Sequence, residues 1–321
     1  MARPLRAAVI GVGHFGQHHA RKLAENPEAE LVAVVDRDRH RAAEVAARHG
    51  AEALSDHAPL LGRVDVVCIA TPPASHHAPA RDFLTHESHV LVEKPITESL
   101  AEADDLIRLA RAGGRVLQVG HIERFSAVGS RIGALVHRPL FIQAQRVGLS
   151  KPRGEAVSVV LDLMIHDLDL ILSLVRSPIE WAHALGAPVV TSADDIASCR
   201  LQFANGCVAD LTASRISVRS ERKMRIFQQD SCTSVDFLKR RIGVFRRRQQ
   251  AGGGAAQITV EENVYPPVDA LEEEVRSFLT AVRKGQEPVV SGEDGRLALE
   301  AALLVDRELQ AHRRRVEGSS D

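Results

Sequence analysis

Leu5-Arg6-Ala7-Ala8-Val9-Ile10-Gly11-Val12-Gly13-His14-Phe15-Gly16 is the run from which the architecture of the chain can be read. Its first six residues read as a strand. The glycines follow with no spacer and lead into a helical stretch from Gln17 to Glu25. A G-x-G-x-x-G run says little alone and much more between a strand and a helix. In that setting the first glycine permits the tight turn, the second lets backbone N–H groups reach a pyrophosphate, and the third lets helix and strand pack closely. Gly11, Gly13 and Gly16, with His14 and Phe15 between them, are the first candidates for holding a dinucleotide.

A second strand, Leu31 to Val35, ends at Asp36, twenty residues beyond Gly16. An acidic side chain there accepts the hydroxyls of an adenosine ribose, and a 2'-phosphate would meet a like charge, so NAD is expected rather than NADP. Arg37 bears on the same choice, because an adjacent guanidinium can tolerate a phosphate or stack on adenine. A helix, Arg39 to His49, and a strand, Val64 to Ala70, follow, ending in Thr71-Pro72-Pro73-Ala74-Ser75-His76-His77. After a helix from Ala78 to Thr85 comes His89-Val90-Leu91-Val92-Glu93-Lys94-Pro95, a β-branched strand that stops at a proline. Proline has no N–H for the ladder, so Lys94 is delivered at the carboxyl end of a parallel strand, the edge where open α/β sheets bind ligands. A helix from Leu100 to Ala112 and a strand from Arg115 to Val119 complete an alternation that specifies a doubly wound parallel sheet. Asp36, Thr71-Pro72 and Glu93-Lys94 each end a strand and are expected on one rim.

At 321 residues the chain suits two domains, and a hydrophobic content of 45% supports globular folding. Aromatic content of 3% leaves little for base stacking, and a formal net charge of -1 gives no field to recruit nucleic acid or a membrane. Cys68, Cys199, Cys207 and Cys232 show no CxxC spacing, which argues against a zinc site and fits a reducing compartment. No uninterrupted apolar run reaches spanning length and the first residues carry no signal-peptide core, so a cytoplasmic protein is expected.

The alternation ends near Gly120, and strands such as Leu140 to Val147 begin to dominate. The expectation is a nucleotide-binding domain over 1–120, an α+β domain with a largely antiparallel open sheet over 121–315, and a disordered tail over 316–321. The most informative segment of the second half, Val159 to Leu172, reads as a largely buried helix that carries three carboxylates and a histidine. Buried charges need partners, so the clustering calls for a reason. Asp162, His166 and Asp169 fall at i, i+4 and i+7 on one face, while Asp167 points elsewhere, to cap or pair structurally. A metal centre would lack further ligands at recognisable spacing, and none is expected. A structural polar cluster is an alternative. The reading adopted is an acid-base face, with His166 able to titrate near neutral pH and Asp162 fixing its tautomer or holding a substrate hydroxyl. Further on, Ile196 to Phe203 and Cys207 to Thr212 flank the hairpin signal Asn205-Gly206, and Arg240 to Arg248 pairs with Gln257 to Asn263 across the glycine-rich residues 251–256. Amphipathic helices from Leu271 to Lys284 and from Gly295 to Arg313 close the chain. An antiparallel sheet with one uncovered face invites a homo-oligomer, a dimer or tetramer.

The glycine turn Gly11 to Gly16, Thr71-Pro72 with His76, and Glu93-Lys94-Pro95 occur in the order and at about the separations seen in the Gfo/Idh/MocA oxidoreductases. The chain resembles that family over essentially its whole length. The resemblance implies an N-terminal Rossmann domain in which Lys94 sits between nicotinamide and substrate and Thr71, Pro72, His76 and Glu93 line the cofactor. It also implies that Asp162 and His166 are the family's Asp-x-x-x-His pair opposite the lysine. The segments Gly120 to Phe125, Asp162 to Asp169 and Ser214 to Ser217 are similar to the branch that oxidises C3 of UDP-N-acetylglucosamine, whose 3-keto product passes to an aminotransferase in lipid A synthesis. That likeness implies NAD as oxidant, a nucleotide-sugar substrate, and His121, Arg124, Asp169 and Arg215 as substrate contacts. Arginine forks suit phosphates, and two or three of Arg124, Arg146, Arg153, Arg215, Arg219, Arg222 and Arg225 are expected to be functional. The sequence departs from the family pattern at His86-Glu87-Ser88, where a glycine usually precedes the strand. A dehydrogenase of a free polyol or sugar, of the inositol type, is the nearest alternative, and a non-catalytic NAD-sensing protein is the alternative from another class. The joint presence of Lys94, Asp162 and His166 speaks for catalysis.

Overall fold

The computed structural model describes residues 3–149, 158–248 and 257–317. Along the first part of the chain run β1 (Leu5–Ile10), α1 (Gly16–Glu25), β2 (Ala29–Val35), α2 (Arg39–His49), β3 (Glu52–Leu54), β4 (Val66–Ile69), α3 (His77–Thr85), β5 (His89–Glu93), α4 (Leu100–Gly113) and β6 (Leu117–Gly120). The strands form one six-stranded parallel sheet in the order β3-β2-β1-β4-β5-β6, the doubly wound arrangement that the alternation specified. The chain reverses direction across the sheet between β1 and β4, so the loops after these strands flank the switch point where such sheets bind ligands. Local chemistry sets the helix ends. Asp38 caps α2 by accepting from the N–H groups of His40 and Arg41, and Ser99 with Glu102 forms a capping box at the start of α4. Gly50 and Gly114, both left-handed, close the same two helices. The short edge strand β3 follows Gly50 without alternation or β-branched residues, and pattern reading passes over it.

The rest of the chain comprises α5 (Gly129–Ile132), β7 (Phe141–Leu149), α6 (Ile165–Val175), β8 (Ile179–Ala187), β9 (Ile196–Phe203), β10 (Val208–Ser214), β11 (Ile216–Phe227), β12 (Ser231–Asp236), β13 (Arg241–Arg248), β14 (Gln257–Val264), α7 (Ala270–Lys284) and α8 (Gly292–Glu317). Its eight strands form a second sheet in the order β14-β13-β12-β11-β7-β10-β9-β8. Every pairing in it is antiparallel except β7 with β10, which lie parallel because the chain between them crosses over through α6, β8 and β9. The hairpin at Asn205-Gly206 is present, with Gly206 at φ +86° and Cys207 N donating to Asn205 Oδ1 at 3.0 Å.

By packing, the chain divides into two compact units, Met1–Phe125 with Asp269–Leu299, and Ser126–Val268 with Glu300–Asp321. The sequence reading gives everything from 121 to 315 to the second domain, whereas α7 joins the first. Its apolar stripe, Val275, Phe278 and Leu279, belongs to the same buried cluster as Val9, Leu23, Leu31 and Leu91. Lys22 of α1 reaches Asp269 at 2.7 Å and Glu272 at 3.0 Å on this segment. An amphipathic period reports that a helix covers a core and not which core, so a contact between positions 250 residues apart leaves no trace in the pattern. At the other end, α8 continues through Glu317, past Arg315 where order was expected to stop, because the turn holding Arg314 and Arg315 carries on the helical pattern. The remainder of the expected tail, 318–321, and the glycine-rich link at 251–256 lie outside the described residues.

Candidate active site

The glycine turn after β1 is built as its residues require. Gly11 has φ +82°, and an added Cβ would stand 2.8 Å from Thr71 Cγ2; at Gly16 it would stand 1.8 Å from the Gly11 carbonyl oxygen. Beside Gly13 nothing lies within 4 Å, which leaves the backbone open to a pyrophosphate. The loop is tied to the neighbouring strand: Gly11 N donates to Val35 O at 2.7 Å, and Val12 N to Asp36 Oδ2 at 3.0 Å. Asp38 N donates to Asp36 Oδ1 at 2.9 Å, and Arg41 of α2 pairs with the carboxylate at 3.3 Å. Three N–H donors on a group with about four acceptor positions leave capacity for a hydroxyl, so the residues present fit an adenosine ribose. Arg37, the basic neighbour read as tolerating a phosphate or stacking on adenine, is exposed; the guanidinium paired with Asp36 is that of Arg41. His14 and Phe15 are exposed with their rings edge to face, 5.3 Å between centroids.

Two further strand ends are joined by His76. Its ring nitrogens lie 2.8 Å from the Thr71 carbonyl and 2.9 Å from the Pro95 carbonyl, so it ties the loop after β4 to the loop after β5. Burial holds the ring below the usual imidazole range although both carbonyls favour protonation. Thr71 Oγ1 donates to Ser75 O at 3.0 Å, and Pro72 opens the single turn Pro73–Ser75. Lys94, half-buried, leaves β5 just before a cis bond to Pro95. Glu93 is in register with Gly120 of β6, so Lys94 and His121 leave adjacent strands at the same level. His121 is fully buried, and Arg124 on the following turn stands 3.8 Å from Asp294.

Glu93 points inward. Its Oε1 lies 2.7 Å from His19 Nε2 of α1. Burial opposes its ionisation, but the hydrogen bond and charge of His19, with Lys94 and His76, outweigh burial and hold the carboxyl below its ordinary range. Sequence reading missed both His19 and Glu274, the latter a fully buried acid on α7. A signal for Glu274 exists: with Leu271, Val275 and Phe278 it occupies the apolar stripe of its helix, where a carboxylate is out of place.

In the second unit the chain around Asp162 departs from the expected regular helix. Val160–Met164 is a π turn, and α6 starts only at Ile165. Such turns often mark functional sites. Ser158 anchors it, accepting from Val160 N at 3.0 Å and donating to Asp306 Oδ1 of α8 at 2.8 Å. Asp162 and His166 are half-buried and Asp169 is buried. Asp167, expected to pair structurally, forms a two-pronged salt bridge with Arg146 of β7, both bonds 2.9 Å and both side chains 5% exposed. Arg215 is fully buried with Nε 3.9 Å from Asp195 Oδ1. Burial opposes ionisation of Asp195, yet donation from Val190, Thr191 and Val189 brings its carboxyl to about 2. Arg219, Arg222 and Arg225 are exposed, and Arg153 lies outside the described residues.

Residues 5–121 match the GFO/IDH/MocA oxidoreductase family with its NAD-binding Rossmann fold, and residues 139–230 match the GFO/IDH/MocA C-terminal domain. The chain belongs to the Gfo/Idh/MocA oxidoreductases. Within that family it is 38% identical to the UDP-N-acetylglucosamine 3-dehydrogenase of Acidithiobacillus ferrooxidans, across 94% of this chain and 96% of that protein. A solved structure of that enzyme overlays with a TM-score of 0.89 at 36% identity, covering 97% of this chain and 99% of the other. The myo-inositol 2-dehydrogenase of Thermotoga maritima is 26% identical over 96% of this chain and 97% of its own length. Levoglucosan dehydrogenase, solved with NADH, shares the fold at 18% identity and a TM-score of 0.85, over 97% of this chain and 98% of that one. As a Gfo/Idh/MocA protein the chain is an NAD-dependent oxidoreductase that acts on a CH–OH group. Among its described residues no helix is long and apolar enough to cross a membrane.

Proposed function

We propose that this oxidoreductase oxidises the 3-hydroxyl of UDP-N-acetylglucosamine with NAD, giving the 3-keto sugar that an aminotransferase consumes in lipid A synthesis. The observation that carries the reading is end-to-end likeness, at 38% identity, to an enzyme named for that reaction. NAD, when bound, supplies the hydride acceptor. The chain's own residues do the rest. Gly11, Gly13 and Gly16 admit the pyrophosphate, Asp36 takes the adenosine ribose, and the loops of Thr71, Pro72, His76 and Glu93 shape the nicotinamide end. His14, Phe15 and Arg37 line the outer edge of the same loops. Lys94 and His166 hold and move the proton that leaves the sugar hydroxyl, and Asp162 fixes the His166 tautomer. His121, Arg124, Asp169 and Arg215 orient the substrate. Free, unbridged thiols at Cys68, Cys199, Cys207 and Cys232 support a reducing cytoplasm as the place of action. The apolar side chains Trp181 and Leu185, about half exposed on alternate positions of β8, support a homo-oligomer formed through the open face of the second sheet.

The experiment is absorbance of the reduced cofactor on mixing the protein and NAD with UDP-N-acetylglucosamine, beside myo-inositol and glucose. The expected result is turnover of the nucleotide sugar alone; turnover of inositol instead would favour the polyol reading, which the Thermotoga relative supports. Lys94→Ala and His166→Ala should each lower kcat by about 10²–10⁴-fold while leaving NAD affinity nearly intact. Full activity in either variant removes its acid-base role.

A further inference from the structure

Beneath the end of β5 the first unit buries a cluster that the expected site residues do not account for. His19 comes from α1, Glu93 from β5 and Glu274 from α7, and one nitrogen or oxygen atom of each lies within 4.8 Å of the other two. Glu274 is 0% solvent-accessible, and neither carboxylate oxygen has a hydrogen-bond partner among the described residues. An ionised carboxyl in that place would forfeit its hydration with no donor in return, and would stand beside the like charge of Glu93. A neutral acid reverses the balance, because its O–H becomes a donor and the charged acceptor in reach is Glu93. The carboxyl oxygens of Glu274 and Glu93 lie within 4.8 Å of each other, a span that a direct hydrogen bond, one water or a small rotation of the Glu274 side chain closes.

Apart from His19, whose Nε2 is bonded to Glu93, the groups around the Glu274 carboxyl among the described residues give it no hydrogen bond. From β4 comes the buried thiol of Cys68, and from β6 Gln118, whose amide donates to the Glu274 main-chain carbonyl at 3.2 Å. Glu123 and Arg124 lie on the turn packed against α7, and Lys94 and His76 act on Glu93. The Glu274 carboxyl oxygens bond to none of these.

We infer that Glu274 is a neutral carboxylic acid whose proton serves Glu93, and that with His19 it forms a positioning cluster which fixes the Glu93 carboxylate and, through it, the Lys94 end of β5. Burial and the charge of Glu93 push the Glu274 carboxyl well above its usual range while Glu93 falls below its own, as two carboxyls do when one proton serves both. Because the folded state holds this proton more tightly than the unfolded chain does, the stability it contributes is fully present below the ordinary carboxylate range. It declines as pH rises through the elevated folded value. The inference rests on the proposed role of Lys94 only for its kinetic consequence.

Infrared spectra of the protein without substrate or cofactor test the proton directly. The wild type at neutral pH should show the carbonyl stretch of a protonated carboxylic acid that Glu274→Gln lacks; identical spectra in that region overturn the inference and leave the proposed function standing. With NAD and UDP-N-acetylglucosamine, Glu274→Leu should lower kcat/KM about tenfold and displace its pH profile, and Glu274→Gln, a neutral donor of the same shape, should restore both. A glutamine variant as impaired as the leucine one would show that the charge is needed and sink the idea. So would a stoichiometric divalent ion in the purified wild type that the glutamine variant lacks. If the leucine variant does not fold, the spectra of the wild type and the glutamine variant still decide, as do their urea midpoints, which should diverge as pH rises.

Discussion

In the proposed cofactor site Asp36 would carry the choice between the two nicotinamide dinucleotides, and Arg41 would set the consequence of losing it. The carboxylate is fixed by two backbone N–H groups, so it presents its charge in a set orientation where a 2'-phosphate would stand. Asp36→Ala should lower the ratio of kcat/KM for NAD over NADP by at least about tenfold, because the repulsion goes and the Arg41 guanidinium is released to meet a phosphate. An unchanged ratio would show that shape rather than charge discriminates. Glu87 is the second residue with a position-specific consequence. It sits at φ +66°, left-handed backbone that glycine adopts freely, at the place where a glycine usually precedes the strand in this family. Glu87→Gly should raise stability by about 0.5–1 kcal/mol, the relief of the side chain outweighing the extra freedom of the unfolded glycine. A lower urea midpoint in that variant would contradict it.

Elements differ in how much of them a pattern reveals. The turn after β1 and the Asn205-Gly206 hairpin are local contests decided within about six residues, and they stand where the sequence puts them; the Ser99 capping box of α4 is equally local. The segment before α6 does not, because the π turn over Val160–Met164 depends on Ser158 and on a residue of α8 that lies 148 positions further along the chain. The pairing of Asp167 with Arg146 is of the same kind, joining α6 to β7 in the interior of the second unit. Asp167→Asn should cost about 3–5 kcal/mol, since it leaves a buried guanidinium without that carboxylate. Replacing both partners by apolar residues of similar volume should recover most of the loss, as read from urea denaturation. A single variant as stable as the wild type would place the pair in the solvated class.

For the protein as an assembly, the open face of the second sheet sets the expectation. Trp181 and His183 stack with ring centroids 6.0 Å apart on β8, beside half-exposed Leu185, while Ala182 and Ala184 between them are buried. Trp181→Glu combined with Leu185→Glu should convert an oligomer to single chains in size-exclusion chromatography with light scattering; a wild type that already elutes as one chain would end the proposal. Three features of the folded chain were legible in its residues alone: the doubly wound sheet, the glycine turn beside Asp36, and the strand end that presents Lys94. Hydrophobic period, glycine geometry and proline's missing N–H all act between near neighbours, so the chain carries them openly. Three others emerged from folding: α7 completes the first unit, Arg41 pairs with Asp36, and Glu93 meets His19 and Glu274. Those outcomes depend on which surfaces meet when distant segments bury their apolar faces together, and the periodicity of a helix fixes the existence of such a face without naming its partner.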